Sequence, residues 1–474
     1  MKSHNLINQL KDEFLNCDDL VFTQKRFTHF SLEFSYFASL VDVNFIDQVI
    51  LPKLKNAEGK VKDFTNFIKD DFLVNDLSDS PLAEIQLQLL SGSLLIFLEK
   101  TILAISVTKI PARTPEESSI EPSVQGPRDG FIEDLNTNLA LIRKRFKSNQ
   151  LKVEKFVIGK RSNVNMALIY IDDIINKQLL NDMKNKIQNL DLDIVTSLQQ
   201  IEKLLADQPR SIMTTSDNSG RPDYVIEALN QGRYALMIDG QPLVSIAPVN
   251  LTNLIKSPED LNQNYLYVSF ERMLRLSSLF ISILLPGFWV ALTTHNIDQI
   301  PFQLVATISV SRLGIPLSTS MEMVIMLFLF ELFHEAGMRL PRSVGQTVSV
   351  LGGLIVGDAA IRSGLTSPSM LVVGGIVFVS GYTLVNPTLG GAATLLRIVI
   401  LLLGTFFGIF GIVVGTLLII SYFSTLTSHG VPYLSFSYPF SLSKMGVSFF
   451  KMPWNMLARR DASLRSNDPT RQED

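Results

Sequence analysis

The segment that decides the fold is MEMVIMLFLFELFHEAGMRLP, residues 321–341, because it mixes the apolar residues of a membrane helix with charged ones. Met, Val, Ile, Leu and Phe make up most of it, yet it also holds three glutamates, a histidine and an arginine. Ionisable groups at membrane depth rarely face lipid. The segment therefore predicts an apolar helical domain in which these charges are either paired or exposed to water.

The charge density of the chain falls sharply after about 275 residues. Residues 1–275 hold 31 Lys/Arg and 36 Asp/Glu, whereas residues 276–474 hold 11 and 9, and no lysine lies between Lys256 and Lys444. The first part suits water, and the second suits lipid, where the backbone must satisfy its own hydrogen bonds. We therefore expect an α/β soluble N-terminal region of two lobes, followed by a polytopic α-helical membrane domain.

The expected domain boundaries follow from shifts in composition and periodicity. They are an α/β lobe over 1–110, a proline-rich linker over 111–130, a second α/β lobe over 131–265, a transmembrane domain over 266–436 and a basic cytoplasmic tail over 437–474.

Two strand pairs are visible within the lobes. LLIFLEKTILAISVT (94–108) predicts two strands that turn near Glu99-Lys100, and RYALMIDGQPLVSIAPVN (233–250) predicts a hairpin around Asp239-Gly240. Asp-Gly tolerates the positive φ of a tight turn, so turn chemistry explains Asp239 better than catalysis does.

Four apolar runs are long enough to span a bilayer at about 20 residues each. They are 276–293, 344–362, 368–386 and 396–423, of which the last is long enough to tilt or break. The amphipathic segments 300–311 and 320–336 would add two crossings if they also span. The N-terminus lacks a signal-like apolar core and the tail is basic, so both ends are expected in the cytoplasm, with an even number of crossings. We expect four.

The helix within the opening segment carries the first candidate site. Thr319 to Glu322 fits a capping box, and Gly337 is a natural stop, so the helix is expected over 320–336. Glu331 and Glu335 lie one turn apart at its C-terminal end, where the macrodipole disfavours anions. Either they pair with Arg339 or Arg342, or they line a water-filled pore.

The spans that follow add small and polar residues. Gln346, Ser349, Gly353 and Gly357 fall on one helical face, as a pore or a close helix contact needs, and Asp358 precedes Arg362 by four residues as an ion pair would. Arg397 is expected to reach the headgroups. Fourteen of the 27 glycines lie between Gly345 and Gly415, which predicts tight helix packing within this chain or with another.

Several function classes are excluded or disfavoured. The net charge of −3 and the absence of a basic groove argue against nucleic acid as a partner, and the single cysteine excludes an internal disulfide. His334-Glu335 begins a zinc-protease pattern, but the second histidine is replaced by Met338. The five histidines are scattered, and no phosphate loop or nucleophile elbow occurs. We expect no enzyme activity, no metal and no cofactor.

Five stretches together carry a family resemblance. They are EPSVQGPRDGFIEDLNTNLALIRKR (121–145), RYALMIDGQPLVSIAPVN (233–250), FISILLPGFWVALTTH (280–295), ELFHEAGMRLPRSVGQTVSVLGGLIVGDAAIRSGLTSPSM (331–370) and HGVPYLSF (429–436). In this order they resemble the A subunits of GerA-type spore germination proteins. The resemblance implies a multi-pass protein of the spore inner membrane whose N-terminal region lies in the cytosol.

The resemblance also implies partners and an activity. It implies a permease-like B subunit, a lipoprotein C subunit and self-association into a ring that conducts cations when a nutrient binds. The positions of Glu331, Glu335, Arg339 and Gln346 match the family pattern, whereas His334 stands where arginine is usual. A stage V sporulation paralogue that amplifies germination fits the same motifs. So does a signalling or transport subunit without its own pore.

Overall fold

The computed structural model describes residues 2–26, 31–56, 72, 74–78, 80–98, 101–109, 118, 121–339, 357–435, 446, 449–453 and 459–471. Two five-stranded sheets lie in the N-terminal half, and long helices lie in the C-terminal part. The prediction of an α/β region ahead of a helical region is therefore confirmed.

The first lobe is an antiparallel sheet with the strand order β1-β2-β4-β5-β3. Its strands are β1 Leu20–Arg26, β2 Ser31–Phe37, β3 Val74–Asp76, β4 Ser93–Phe97 and β5 Ile102–Ser106, and its helices are α1 Lys2–Glu13, α2 Leu51–Asn56 and α3 Leu82–Leu90. Strands β4 and β5 are the pair predicted within 94–108. Their predicted turn residues, Glu99 and Lys100, lie outside the described residues.

The second lobe is an antiparallel sheet with the order β6-β7-β9-β10-β8. Its strands are β6 Leu151–Ile158, β7 Val164–Ile171, β8 Asp217–Ser219, β9 Tyr234–Ile238 and β10 Val244–Ala247; its helices are α4 Leu135–Arg145, α5 Lys177–Gln188, α6 Leu198–Leu205, α7 Pro222–Asn230 and α8 Leu251–Leu254. Gly240 has a φ of +81° in the predicted hairpin, whose connection over 239–243 is longer than two residues.

The two lobes share one strand order, although the sequence shows no internal repeat. In each lobe a hairpin (β1–β2 or β6–β7) is followed by a short edge strand (β3 or β8), a helix (α3 or α7) and a second hairpin (β4–β5 or β9–β10). In each sheet the short strand pairs with the last strand of that lobe. The N-terminal region is therefore a tandem of two copies of one fold.

A buried ion pair joins the lobes. The Arg143 guanidinium on α4 donates from Nε and Nη2 to the Asp19 carboxylate of the first lobe at 2.8 and 3.1 Å. Both side chains are almost fully buried, and the guanidinium also lies 4.1 Å from the centre of the Phe37 ring. Such a pair depends on both partners, because either one alone would be an uncompensated buried charge.

The C-terminal part is built from helices α9 Tyr265–Thr294, α10 Phe302–Ser311, α11 Thr319–Arg339, α12 Pro368–Tyr382 and α13 Pro387–Thr425. Among the described residues, two of them, α9 and α13, are long and apolar enough to cross a membrane. Helix α11 begins one residue earlier than predicted and runs through Gly337 to Arg339. Helix α12 ends at Tyr382 rather than 386, because Asn386 and Pro387 start α13.

Helix α13 is a hairpin of two helices, so the run over 396–423, predicted as one span long enough to tilt or break, does break. Gly408 has φ +61° and ψ −145°, a conformation outside the helical region. Beyond it the chain folds back: a Cβ on Gly415 would lie 2.7 Å from a side-chain carbon of Ile400, although 15 residues of straight helix would separate them by about 22 Å. Residues 387–407 and 409–425 therefore run antiparallel within one chain.

Both ends of this hairpin rest on the second lobe. Asn386, the N-cap of α13, contacts Asp217 of β8, and the Thr425 carbonyl accepts a hydrogen bond of 3.0 Å from the Gln208 side chain. At the far tip, the His295 ring contacts the Thr405 carbonyl at 2.7 Å, and Asn296 accepts from the Ile409 amide. Helix α9 thus runs parallel to 387–407 and reaches the tip beside it.

Helices α11 and α12 run side by side in the same direction. Glu322 contacts Ser367 near their N-terminal ends, Phe330 stacks on Phe378 at 4.9 Å between ring centres, and His334 meets Tyr382 near their C-terminal ends. Met323, Met326 and Phe330 of α11 form one apolar cluster with Val290 of α9 and Met370 of α12.

The described part of the tail lies on the second lobe. Arg460 donates to the Asn230 carbonyl at 2.7 Å and to Asp468 at 2.6 Å, and Arg471 pairs with Glu227 at 2.5 Å. Two basic residues of the stretch 437–474, predicted as a basic cytoplasmic tail, are thus engaged with carboxylates and α7.

Candidate functional site: the acidic helix and its anchors

Helix α11 has one buried and one exposed face. Met323, Met326 and Phe330 are buried, whereas Met321, Val324, Phe328, Leu332 and both glutamates Glu331 and Glu335 lie on the exposed face. The glutamate side chains are 48% and 51% exposed. An apolar face of this kind needs a partner such as lipid or protein, and carboxylates within it need water or a counter-charge.

The two glutamates have different neighbours. Glu335 pairs with Arg339 at 2.6 Å, one helical turn away, and the pair is largely exposed. Glu331 lies 3.4 Å from His334 Nδ1, and the His334 ring packs edge-on against Tyr382 at 5.1 Å. Because an exposed ion pair is weak, about 0–1 kcal/mol, neither contact fixes the carboxylates firmly.

The next predicted site residues are only partly described. Arg342, Gln346, Ser349 and Gly353 lie outside the described residues. Asp358 pairs with Arg362 at 2.7 Å, both with exposed side chains. Gly357 faces helix α12, because a Cβ there would lie 3.2 Å from a methyl carbon of Leu371. This part of the chain uses Gly357 for close helix contact.

Glu322 is not the capping residue that the sequence suggested. Its carboxylate is fully buried, accepts hydrogen bonds from the Ser367 amide at 3.1 Å and hydroxyl at 3.2 Å, and lies 3.1 Å from the Arg312 guanidinium. Arg312 also donates to the Thr319 hydroxyl. Glu322 therefore ties together the end of α10 and the starts of α11 and α12.

Arg397 does not extend to the headgroups as predicted. Its side chain is 6% exposed and points into the bundle, where Nε donates to the Ser282 carbonyl at 2.9 Å and Nη2 to the Ser282 hydroxyl at 2.8 Å. Gly381 of α12 lies beside it, since a Cβ there would be in van der Waals contact with Nη2 at 3.6 Å. The first half of α13 is thus pinned to the middle of α9.

A polar junction joins the second lobe to α13. The Asp217 carboxylate accepts hydrogen bonds from the Asn386 amide at 2.7 Å and the Tyr224 hydroxyl at 2.8 Å. A cavity of about 10 Å³, with room for one water molecule, lies between these groups, Glu121 and Lys256. Burial raises the pKa of Asp217 above its ordinary value. This junction is the polar contact at the start of the hairpin.

Two further titratable groups line the junction. Burial raises the pKa of Glu121 to about 7, even though its carboxylate accepts hydrogen bonds from the Ser219 hydroxyl and the Gly220 amide. Burial also lowers the pKa of Lys256 to about 7, helped by the nearby charges of Arg272 and Arg233. Glu121 comes from the proline-rich stretch 111–130, so that stretch supplies part of the junction.

Sequence reasoning missed the anchors for one common reason. Glu322 and Ser367 are 45 residues apart, Ser282 and Arg397 are 115 apart, and Asp217 and Asn386 are 169 apart. Only the pattern Asn386-Pro387, typical of a helix start, gave a local signal. No cluster of three metal-ligating side chains occurs within the part of the chain that the structure describes.

The comparisons with known proteins agree with one another. The family described as Bacillus/Clostridium GerA spore germination protein matches residues 8–463. Spore germination protein XA of Bacillus anthracis is 39% identical over 92% of this chain and 90% of its own. The uncharacterized membrane protein YfkQ of Bacillus subtilis (strain 168) is 30% identical over 94% of this chain and 88% of its own.

A solved structure is also similar. It is the N-terminal domain of the A subunit of the Bacillus megaterium spore germinant receptor GerK3, which is 21% identical and covers 51% of this chain and 92% of its own, with a TM-score of 0.37. The identity to relatives extends through both lobes and the helices. The chain therefore belongs to the GerA family of spore germination proteins.

Proposed function

We propose that this chain is the membrane subunit of a spore germinant receptor complex and that several copies form a ring around a cation pathway. The observation that carries the proposal is the exposed face of α11, where Glu331 and Glu335 are each about half exposed within an apolar surface. In a ring these carboxylates would face a shared axis and concentrate cations there. Lipid against the same face would leave them poorly solvated.

The membrane arrangement that fits the helix directions has six crossings. Helix α9 and 387–407 run away from the second lobe, whereas α11, α12 and 409–425 run toward it. The span predicted over 344–362, most of which lies outside the described residues, would supply the sixth crossing and complete an even number, with the lobes on the cytoplasmic side. The membrane in question is the spore inner membrane, and the partners are a permease-like B subunit and a lipoprotein C subunit.

Cysteine labelling tests this topology in a Cys17→Ser background, which removes the single native cysteine. Ile297→Cys, at the turn after α9, should react with a membrane-impermeant maleimide from outside. Thr383→Cys, between α12 and α13, should react only after permeabilisation, because this loop lies beside the second lobe. Labelling of Thr383→Cys in intact vesicles would contradict six crossings and restore the four-span arrangement, which puts this loop outside.

Measuring ion release tests whether the exposed face of α11 lines the cation pathway. Spores that carry Glu331→Gln together with Glu335→Gln should release fewer monovalent cations per molecule of protein during germination, while the amount of protein in the membrane stays normal. Asp298→Asn is the matched control, because this carboxylate lies in the turn beyond α9. Unchanged release per molecule in the double variant would exclude the α11 face as the pathway. If the chain is instead the stage V paralogue, the double variant should release cations normally when a nutrient is added and should weaken only the later amplification of germination.

A further inference from the structure

The contact between Arg397 and Ser282 coincides with a proline in α9. Pro286 lies inside this helix, four residues after Ser282. A helical residue at position 286 would normally donate its N–H to the carbonyl of residue 282, but proline has no N–H. The Ser282 carbonyl therefore lacks the donor that the helix would otherwise give it. It receives a hydrogen bond of 2.9 Å from Arg397 Nε instead.

The Ser282 carbonyl needs this replacement donor because it is buried. Ser282 is fully buried and Pro286 is buried, so water does not reach the carbonyl from the bulk. A buried carbonyl without a donor is destabilising, because it loses its hydrogen bond to water and gains none in return. The guanidinium has a matching need, because no carboxylate lies within salt-bridge distance of Arg397 among the described residues 121–339 and 357–435. Glu331 of α11 acts on its charge only from farther away, and its direct hydrogen-bond partners are the carbonyl and hydroxyl of Ser282.

Close backbone packing fixes the geometry on both sides of the contact. A Cβ on Gly287 would lie 2.7 Å from the Ile400 carbonyl oxygen, and a Cβ on Gly404 would lie 2.7 Å from the Gly287 carbonyl oxygen. The two helix backbones therefore touch one turn beyond the Arg397 contact. Past this point, Val290 packs in the cluster that contains Met323 and Phe330 of the acidic helix α11.

We infer that Arg397 is a positioning residue whose guanidinium replaces the backbone donor that Pro286 withholds, and that it thereby holds α9 in the orientation against which α11 packs. The first half of α13 carries Arg397 and begins at Asn386 on the second lobe. Arg397 is thus the point at which the hairpin holds α9. This role does not depend on whether the acidic helix conducts ions.

A double-mutant cycle on the full-length protein in detergent tests the inference. Arg397→Met should lower the midpoint of thermal unfolding, because it leaves the Ser282 carbonyl without a donor. Pro286→Ala restores an N–H at position 286, so the same Arg397→Met change should cost less in the Pro286→Ala background. Ser282→Ala is the matched control: it removes the hydroxyl but keeps the carbonyl, and should cost less than Arg397→Met.

A local readout separates positioning from general stability. In a Trp454→Phe background, Trp289 is the remaining tryptophan, three residues past Pro286 and packed beside the α11 cluster. Arg397→Met should move its emission to longer wavelength, and Pro286→Ala should reverse the change. If the Arg397→Met protein does not accumulate, the Pro286→Ala/Arg397→Met double variant should accumulate to a higher level than Arg397→Met alone. An equal loss in both backgrounds, by midpoint or by amount of protein, would overturn the inference.

Discussion

The side-chain amide of Asn386 donates a hydrogen bond of 2.7 Å to the buried carboxylate of Asp217. The same Asn386 side chain accepts from the amides of Thr388 and Leu389, and so caps the first helix of the hairpin. One residue thus serves both as helix cap and as the link to the second lobe. Loss of the amide therefore removes two stabilising contacts at once.

Asn386→Ala should destabilise the full-length protein by more than a cap alone, which contributes about 1 kcal/mol. Asn386→Asp keeps a capping oxygen but places a second carboxylate against Asp217. Because a like charge raises the pKa of both groups, this variant should be least stable at high pH and should recover as the pH falls. Thermal unfolding of the two variants across pH measures this. A pH-independent loss for Asn386→Asp would contradict the contact.

Glu121 and Lys256 should give stability a minimum near neutral pH. The folded pKa of Glu121 is raised from 4.5 to about 7, so its contribution is full below 4.5 and is lost as the pH rises to about 7. The folded pKa of Lys256 is lowered from 10.5 to about 7, so stability is regained as the pH rises from about 7 to 10.5.

Single substitutions separate the two sides of this stability minimum: the loss of stability as the pH rises to about 7 (the acid arm) and its recovery above about pH 7 (the alkaline arm). Glu121→Gln should reduce the acid arm by an amount on the order of 3 kcal/mol, from the size of the pKa shift. The raised pKa of Asp217 has the same sign and should leave a smaller acid arm in this variant. Lys256→Met should flatten the alkaline arm. Glu133→Gln is the matched control, since Glu133 is exposed in the same part of the chain. Thermal midpoints between pH 5 and 10 give the profile, and an acid arm of unchanged size in Glu121→Gln would assign it to another group.

Glu322→Gln should be far more harmful than Glu335→Gln, although both residues lie on α11. Glu322 is buried against Arg312, and the loss of one partner of a buried pair costs about 3–5 kcal/mol. The exposed pair of Glu335 with Arg339 contributes about 0–1 kcal/mol. The amount of each variant in membranes and its thermal midpoint measure the difference. Arg312→Met added to Glu322→Gln should recover part of the loss, because neither charge then remains.

Gly408→Ala should prevent the hairpin from forming. Its φ of +61° with ψ −145° is a conformation that residues with a Cβ avoid at a cost of about 1–3 kcal/mol. The new Cβ would also lie 2.8 Å from Asn296 Oδ1. Gly391→Ala is the control, because it lies within the helix, has no atom within 4 Å of its Cβ position and should gain about 1 kcal/mol. Normal amounts of Gly408→Ala in membranes would contradict the turn.

The order of an α/β region and an apolar helical region could be predicted because charge density and periodicity are local properties of the sequence. The Asp239-Gly240 hairpin could be predicted for the same reason. The length of the run 396–423 allowed for a break, but its position at Gly408 and the reversal of the chain could not be predicted. Hydropathy is continuous across the run, and the spacing of Gly404, Gly408, Gly411 and Gly415 also fits straight helices in contact. In the structure these glycines pack the two halves of one hairpin and its neighbour α9.

In the candidate site, too, only the contacts between residues close in sequence could be predicted. The local pairs Glu335–Arg339 and Asp358–Arg362 follow from four-residue spacing, and both contacts are present. The local capping-box pattern predicts Glu322 as a cap of its own helix, yet its partners are Arg312 and Ser367. For Arg397, the sequence offered no way to foresee that Pro286, more than a hundred residues earlier, frees an acceptor for it.

The hairpin of α13 links the second lobe to the far end of the helical bundle. Its two ends, at Asn386 and Thr425, are both hydrogen-bonded to the second lobe, and its tip at Gly408 packs against His295 and Asn296. With an arm of about 31 Å for residues 387–407, a tilt of the lobe by about 5° would displace the tip by about 3 Å. A small rotation of the soluble region would thereby become a sideways shift at the far end of the bundle, of about half the radius of a helix with its side chains.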